Sequence, residues 1–340
     1  MKAETEFEAS LAGWLAELSL KTLERAEGGL LEVPEGLEEP STFNPPEALE
    51  VPNPGKLRVF RVEPSSRVRV AAIDVACKRL GFLGEGVVCA VRGALVWRDE
   101  YAYHYCRYGP YTFHLKDGWV FQALGETLPR SLEASLNPLG LTAKIQMLVE
   151  RELQLQACKT FRNSLILLDG SLSVITGMGG SLSERLSEAL ERARANGNRV
   201  LALAKNTKIL QGEILNLALR LKPPCLIQVE AEGRGNLKNL GRVFLAKLDG
   251  GLPGFRLDVD AGLSLEEALE AVGSLLASDL LVQGYPETLR MAHMLSVFTP
   301  LDVLAIQRFL AENFGVRVRR ERSVRRMLFG PYAGWEEAGS

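Results

Sequence analysis

The sequence predicts a mixed α/β domain, and three features of its pattern predict it. Apolar runs of strand length recur along the chain, among them VRVAAIDVA at 68–76 and SLILLDGSL at 164–172. Segments with helical periodicity alternate with them, such as SLSERLSEALERARANG at 181–197. The order also changes along the chain, from consecutive strands to strand–helix–strand units.

The elements follow in order. Residues 4–27 read as an amphipathic helix, with Phe7, Leu11, Trp14, Leu15 and Leu18 at helical spacing. A Pro- and Glu-rich stretch from Val33 to Pro54 reads as an extended arm. These two segments make an N-terminal extension over 1–56, and a compact domain is expected over 57–340. Residues 68–76, 87–97 and 101–108 read as antiparallel strands. A helix follows over 140–160, then a buried strand ending in Asp169-Gly170. The helix 181–197 is closed by Gly197 and precedes a strand at 199–207, so the crossover should be parallel and right-handed. Residues 225–231, 241–248 and 254–261 resemble strands, and 264–279 and 301–315 resemble helices. Antiparallel strands followed by parallel βαβ units suit a ribonuclease-H-like sheet with flanking helices, and suit other α/β folds as well.

Composition narrows the class. The chain has 340 residues, 46% hydrophobic and 24% charged, which is ordinary for a globular protein with a sizeable core. A formal net charge of −2 neither marks nor excludes a nucleic-acid surface. The five cysteines form no CxxC pair, which argues against a zinc ribbon or disulfide framework and for a reducing cytoplasm. The N-terminus carries acids where a signal peptide carries a basic flank, and no long apolar run predicts a membrane span.

Asp74 and Asp169 share one setting, a buried apolar strand that delivers an Asp at its carboxyl end, the edge where α/β sheets bind ligands. Strands lying side by side would bring the carboxylates together, and like charges so placed call for a hard divalent cation. Asp-Gly is also a common turn pair. On the helix, Leu141, Ile145, Leu148 and Leu155 mark one face with Glu152 in its middle, while Glu150 points nearly the opposite way. A carboxylate on a buried face must be neutralised, so Glu152 meets either a core Arg or Lys or a metal. His293 follows a Gly-Tyr-Pro turn at 284–286, whereas His104 and His114 lie in a Tyr-rich strand region and read as structural.

Three patterns read as decoys. GMGGS at 177–181 lacks the Lys of a phosphate-binding P-loop and reads as a flexible turn. LDVDAG at 257–262 superficially resembles a phosphatase nucleophile, but its apolar–charged alternation predicts a half-exposed strand. The Arg-rich run at 317–326 suits either a phosphate contact or a solvated face.

Taken in order, AAIDVA (71–76), ERELQL (150–155), LILLDGSL (165–172), LALAKNT (201–207) and GYPETLRMAH (284–293) resemble the NurA nuclease family over roughly residues 57–300. The resemblance implies a ribonuclease-H-like core, a homodimer and a cytoplasmic enzyme. It implies Mn²⁺ dependence, with Mg²⁺ as a substitute, and 5′–3′ exonuclease and single-strand endonuclease activity on DNA. It also implies work with a HerA-type hexameric ATPase in end resection during double-strand break repair. On this basis Asp74, Glu152 and Asp169 are the expected metal ligands, with Glu150 the alternative to Glu152. His293 is the expected C-terminal catalytic histidine and Lys205 a DNA-phosphate contact. Where the family often has Asp-Gly-Ser at its first motif, this chain has Asp74-Val75-Ala76, which predicts a different local turn. That departure supports a second reading, a catalytically weak DNA-binding adaptor of a HerA-type motor.

Overall fold

The computed structural model describes residues 2–34, 49–50, 57–100, 102–116, 138–175, 181–205, 209–229, 232–233 and 237–320. An eleven-stranded mixed sheet forms the centre. Its strands are β1 (Leu30–Val33), β2 (Arg58–Arg61), β3 (Arg69–Leu83), β4 (Gly86–Arg98), β5 (Tyr103–Leu115), β6 (Ser164–Asp169), β7 (Arg199–Ala204), β8 (Cys225–Gln228), β9 (Gly241–Lys247), β10 (Phe255–Asp260) and β11 (Arg317–Arg320). The helices are α1 (Lys2–Glu24), α2 (Pro138–Thr160), α3 (Ser181–Ala195), α4 (Gly212–Arg220), α5 (Leu265–Ser278), α6 (Glu287–Ser296) and α7 (Pro300–Phe314).

Long β-branched and apolar runs make β3, β4 and β5 an antiparallel meander. A two-residue turn at 84–85 joins the first pair, with Gly84 supplying the positive φ of +56° that such turns require. Parallel β6 then pairs with β3, and parallel β7 with β6, across the α3 crossover. Three antiparallel strands followed by two parallel ones constitute the ribonuclease-H-like core. Antiparallel β10, β9, β8 and β2 extend the sheet beyond β7.

Both faces of the core are covered. On one face Ile73, Val75, Ile166 and Leu168 pack with Ile145 and Leu148 of α2, with α3, and with Leu15 and Leu18 of α1. On the other, Val70, Ala72, Val96, Leu167 and Leu203 pack beneath α5 and α6. The period-two alternation along each strand separates these two sets.

Several expectations need correction. β3 does not end near Asp74 but runs to Leu83, because the hairpin with β4 continues through Leu83↔Gly86. Asp74, Val75 and Ala76 are therefore plain strand residues, and no special turn is needed there. The strand 255–260 is buried throughout rather than half-exposed. Its charges are matched internally, Arg256 to Asp258 at 2.7 Å and Asp260 to Arg194 at 2.6 Å. The helix α1 does not present Trp14 and Leu15 as one stripe. Leu15, Leu18 and Leu23 are buried while Trp14 is 37% exposed. Ser19 and Thr22 bind the β5 backbone at Thr112 and His114. The side chains of Phe7 and Leu11, most of the Pro-rich arm, GMGG at 177–180 and the Arg run beyond Arg320 lie outside the described residues. Residues 30–33, in the N-terminal extension, pair with both β11 and the far end of β3.

Glu287–Phe314 is apolar and long enough, as one stretch, to cross a membrane by composition. It is in fact α6 and α7, of 10 and 15 residues, each shorter than the ~20 a span requires.

Leu15 ties the N-terminal helix to the main core, so Leu15→Ala should lower stability by about 2–5 kcal/mol. Urea unfolding measures this; an unchanged midpoint would show that α1 is not part of the cooperative unit.

Candidate active site

The parallel pairing of β3 with β6 ends at Ile73↔Leu168. The next residues are Asp74 and Asp169, so the register sets two carboxylates side by side where the strands part. Both follow the alternation of Ala72 and Leu167 and point to the α5–α6 face. Gly170, at φ +105°, turns the chain away from β6, and its N–H donates to Leu203 O at 2.8 Å. Lys205, just past the end of β7, falls on the same face, and its Nζ donates to Asp169 Oδ2 at 2.9 Å.

The α6 helix completes the group. Its apolar residues Leu289 and Ala292 pack on the sheet, which turns the flanking His293 and Ser296 toward Asp74. His293 Nδ1 lies 3.2 Å from Asp74 Oδ2, and the buried Ser296 hydroxyl donates to the same oxygen. Tyr285, before α6, donates its OH to Asp169 Oδ1 at 3.4 Å, and its ring lies 5.3 Å from Lys205 Nζ. Among the described residues, one ligand atom from each of Asp74, Asp169 and His293 lies within 4.8 Å of the others.

The electrostatics divide the two aspartates. Burial pushes the Asp74 carboxyl up, but hydrogen bonds from His293 and Ser296 outweigh it and leave it below the ordinary value. Burial raises Asp169, and the Asp74 charge adds to this; Lys205 offsets only part. His293 is raised by its hydrogen bond to Asp74. Glu150 is pushed up to about 7, first by burial and further by the charges of Asp74 and Asp169. A cluster of acids with one low and two raised members fits a hard divalent cation, which relieves the repulsion and prefers oxygen ligands.

The sequence-predicted residues therefore separate. Asp74, Asp169, His293 and Lys205 come together, but Glu152 does not join them. Its carboxylate accepts from Arg185 of α3 at 2.5 Å and from Gln156 at 2.7 Å. Glu152 thus meets an arginine, one of the two kinds of partner its position calls for, and Gln146, Glu150 and Gln154 form the stripe nearer the carboxylates. Gln146 donates to Val75 O at 2.8 Å, and Gln154 donates to Glu150 at 2.8 Å. His104 pairs with Asp99 at 2.9 Å and stacks on Trp97. Sequence reasoning misses Tyr285 and Ser296; the His293–Ser296 spacing of i and i+3 is the available signal.

No family profile and no curated protein sequence matches the chain. A solved structure of the NurA nuclease from Sulfolobus solfataricus shares the fold, with a TM-score of 0.51 and 16% identity over 76% of this chain and 87% of that one. Endonuclease V from Bacillus subtilis aligns with a TM-score of 0.35 at 13% identity, over 75% of this chain and 88% of that one. Endonuclease V from Ciona intestinalis, solved with inosine-containing DNA, gives 0.37 at 14%, over 73% and 92%.

The raised Glu150 predicts a pH effect. Between the ordinary value of 4.5 and about 7, the folded chain holds a proton that the unfolded chain releases. The Glu150 contribution to stability is thus full below 4.5 and is lost as pH rises through about 7. In EDTA, the melting temperature should fall from pH 5 to pH 8 more steeply in wild type than in Glu150→Gln. Parallel pH profiles would refute the assignment of that titration to Glu150.

Proposed function

We propose that the chain is a divalent-metal-dependent DNA nuclease of the NurA type. The observation that carries this reading is the Asp74–Asp169–His293 group, whose ligand atoms lie within 4.8 Å of one another on a fold shared with a NurA nuclease. Asp74 and Asp169 would hold the metal, with Glu150 from α2 as the helical carboxylate in place of Glu152. The oxygen-rich donors favour Mn²⁺ or Mg²⁺ over Zn²⁺. When bound, such a metal lowers the pKa of water and stabilises charge on a phosphoryl group.

The chain's own residues supply the rest. His293, kept protonated on Nδ1 by Asp74, presents its other ring nitrogen for proton transfer, either orienting water or protonating the leaving oxygen. Lys205 is 38% exposed beside Asp169 and is placed to attract a DNA phosphate. Tyr285 fixes the free oxygen of Asp169. The substrate we assign is DNA, as single strands and duplex ends, cut by 5′–3′ exonuclease and single-strand endonuclease action. We further assign a homodimer working with a HerA-type hexameric ATPase in end resection, in the cytoplasm; these assignments rest on the sequence resemblance. The adaptor reading rests on Val75-Ala76. Both are strand residues here and leave Asp74 beside Asp169, so we favour the enzyme.

Labelled single-stranded DNA incubated with Mn²⁺ tests the proposal. EDTA should abolish cleavage and Mn²⁺ restore it. Asp74→Asn and Asp169→Asn should each lower the rate about 100-fold or more. Cleavage that persists in EDTA, or in both variants, refutes it. Glu150→Gln should cost far more activity than Glu152→Gln, whose main effect should be on stability through the lost Arg185 pair. The opposite ranking would return Glu152 to the site.

A further inference from the structure

The α6 helix carries the two groups that contact Asp74, and β4 holds its far end directly and its start through Asp279. Arg92, Ala94, Val96 and Arg98 alternate onto the face that α6 covers, and Ala94 lies opposite Asp74 in β3. The small side chains of Ala72 and Ala94, both fully buried, leave room for α6 to lie close to the sheet.

Toward the start of α6 the link is indirect: Arg98 Nη1 donates to Ser278 O, at the end of α5, at 2.8 Å and lies 3.8 Å from Asp279. The buried Asp279 accepts the Thr288 backbone N–H at 3.0 Å and the Tyr103 hydroxyl at 3.1 Å. At the other end, Arg92 Nη1 donates to Val297 O at 3.1 Å, one residue past Ser296. The same guanidinium grips both oxygens of Asp302, at 2.8 and 3.3 Å, and its Cζ lies 4.5 Å from the Phe298 ring centroid. Asp302 in turn accepts from Thr299 N at 2.8 Å and caps α7. The register shift opposite Arg92 places its extra residue in β5, at Gly109-Pro110, while Arg92 itself keeps its regular pairing with Ala76 of β3.

We infer that Arg92 is a positioning residue: its guanidinium fixes the α6–α7 turn and thereby sets where His293 and Ser296 meet Asp74. This rests on the nuclease reading for its functional consequence, but not for its geometry. Arg92 is only 3% exposed and is placed to touch no substrate, so its influence passes through α6. Lysine cannot replace it fully. One ammonium cannot hold the carboxylate as a fork and also reach the carbonyl.

The test combines hydrogen exchange, which needs no activity, with steady-state cleavage in Mn²⁺ by the full chain. In Arg92→Met, amide exchange over 292–299 should rise about tenfold or more while β3 and β6 stay protected. In the same variant kcat should fall about 10- to 100-fold with KM for DNA unchanged, as expected for a small displacement of reacting groups. Arg92→Lys should fall between wild type and Arg92→Met in both measurements. Asp302→Asn, which weakens the clamp from its partly exposed side, should reproduce both effects in milder form and decides the matter should Arg92→Met fail to fold. Wild-type exchange in α6 together with wild-type kcat overturns the inference. So does a uniform rise of exchange across α6, β3 and β6, which marks general core damage. If the wild-type chain cleaves no DNA, the nuclease reading fails, and the clamp stands or falls on the exchange result alone.

Discussion

The site depends on one register. β3 and β6 pair in parallel as far as Ile73 and Leu168, and the next residue on each strand is an aspartate. Side chains answer the repulsion this creates. Lys205 answers Asp169, and His293 with Ser296 answers Asp74. The buried Arg256–Asp258 pair acts on the neighbouring loop instead. Asp258 accepts the Leu172 N–H at 2.9 Å and so anchors the loop that leaves Asp169. A buried ion pair is a weak source of net stability but a strong geometric constraint when every oxygen is bonded. Here it fixes a loop beside the carboxylates.

The two aspartates are chemically unequal although their sequence settings look alike. The better-bonded Asp74 stays ionised, whereas Asp169 and Glu150 keep protons more readily. The inequality arises because the His293 and Ser296 hydrogen bonds outweigh burial at Asp74, whereas at Asp169 burial and the Asp74 charge outweigh Lys205. The α6 face brings a hydroxyl and an imidazole to one carboxylate. The α2 side brings a further acid, tethered through the Glu150–Gln154–Arg151 chain. Positive and negative demands on the site thus come from opposite layers of the sheet.

Much of this is legible in the sequence. Apolar strands ending in acids locate Asp169, and the same pattern finds Asp74, although β3 runs on past it to Leu83 because hairpin pairing continues. Helix periodicity finds α2 but misjudges its polar stripe. Glu150 reads as pointing away from the apolar face, because sequence alone cannot show that acids lie opposite. In β10 the alternation of charge reads as exposure, since a charge matched by a neighbouring strand or helix looks the same as one matched by water. Strands β1 and β2 are four residues each, too short to show a period. Tyr285 looks like part of a turn, and only the sheet's topology brings it to Asp169.

The contacts that finish the site close across 219 and 222 residues of chain, from Asp74 to His293 and Ser296. During synthesis the sheet strands through β10 emerge before α6 exists. A ribosome-bound chain that has reached only Asp260 already carries both aspartates and the lysine. It still lacks the tyrosine, the imidazole and the hydroxyl that complete the arrangement, and the turn that Arg92 will grip. A half-made or C-terminally clipped copy is therefore chemically incomplete, so assembly order itself keeps immature chains from having the finished centre.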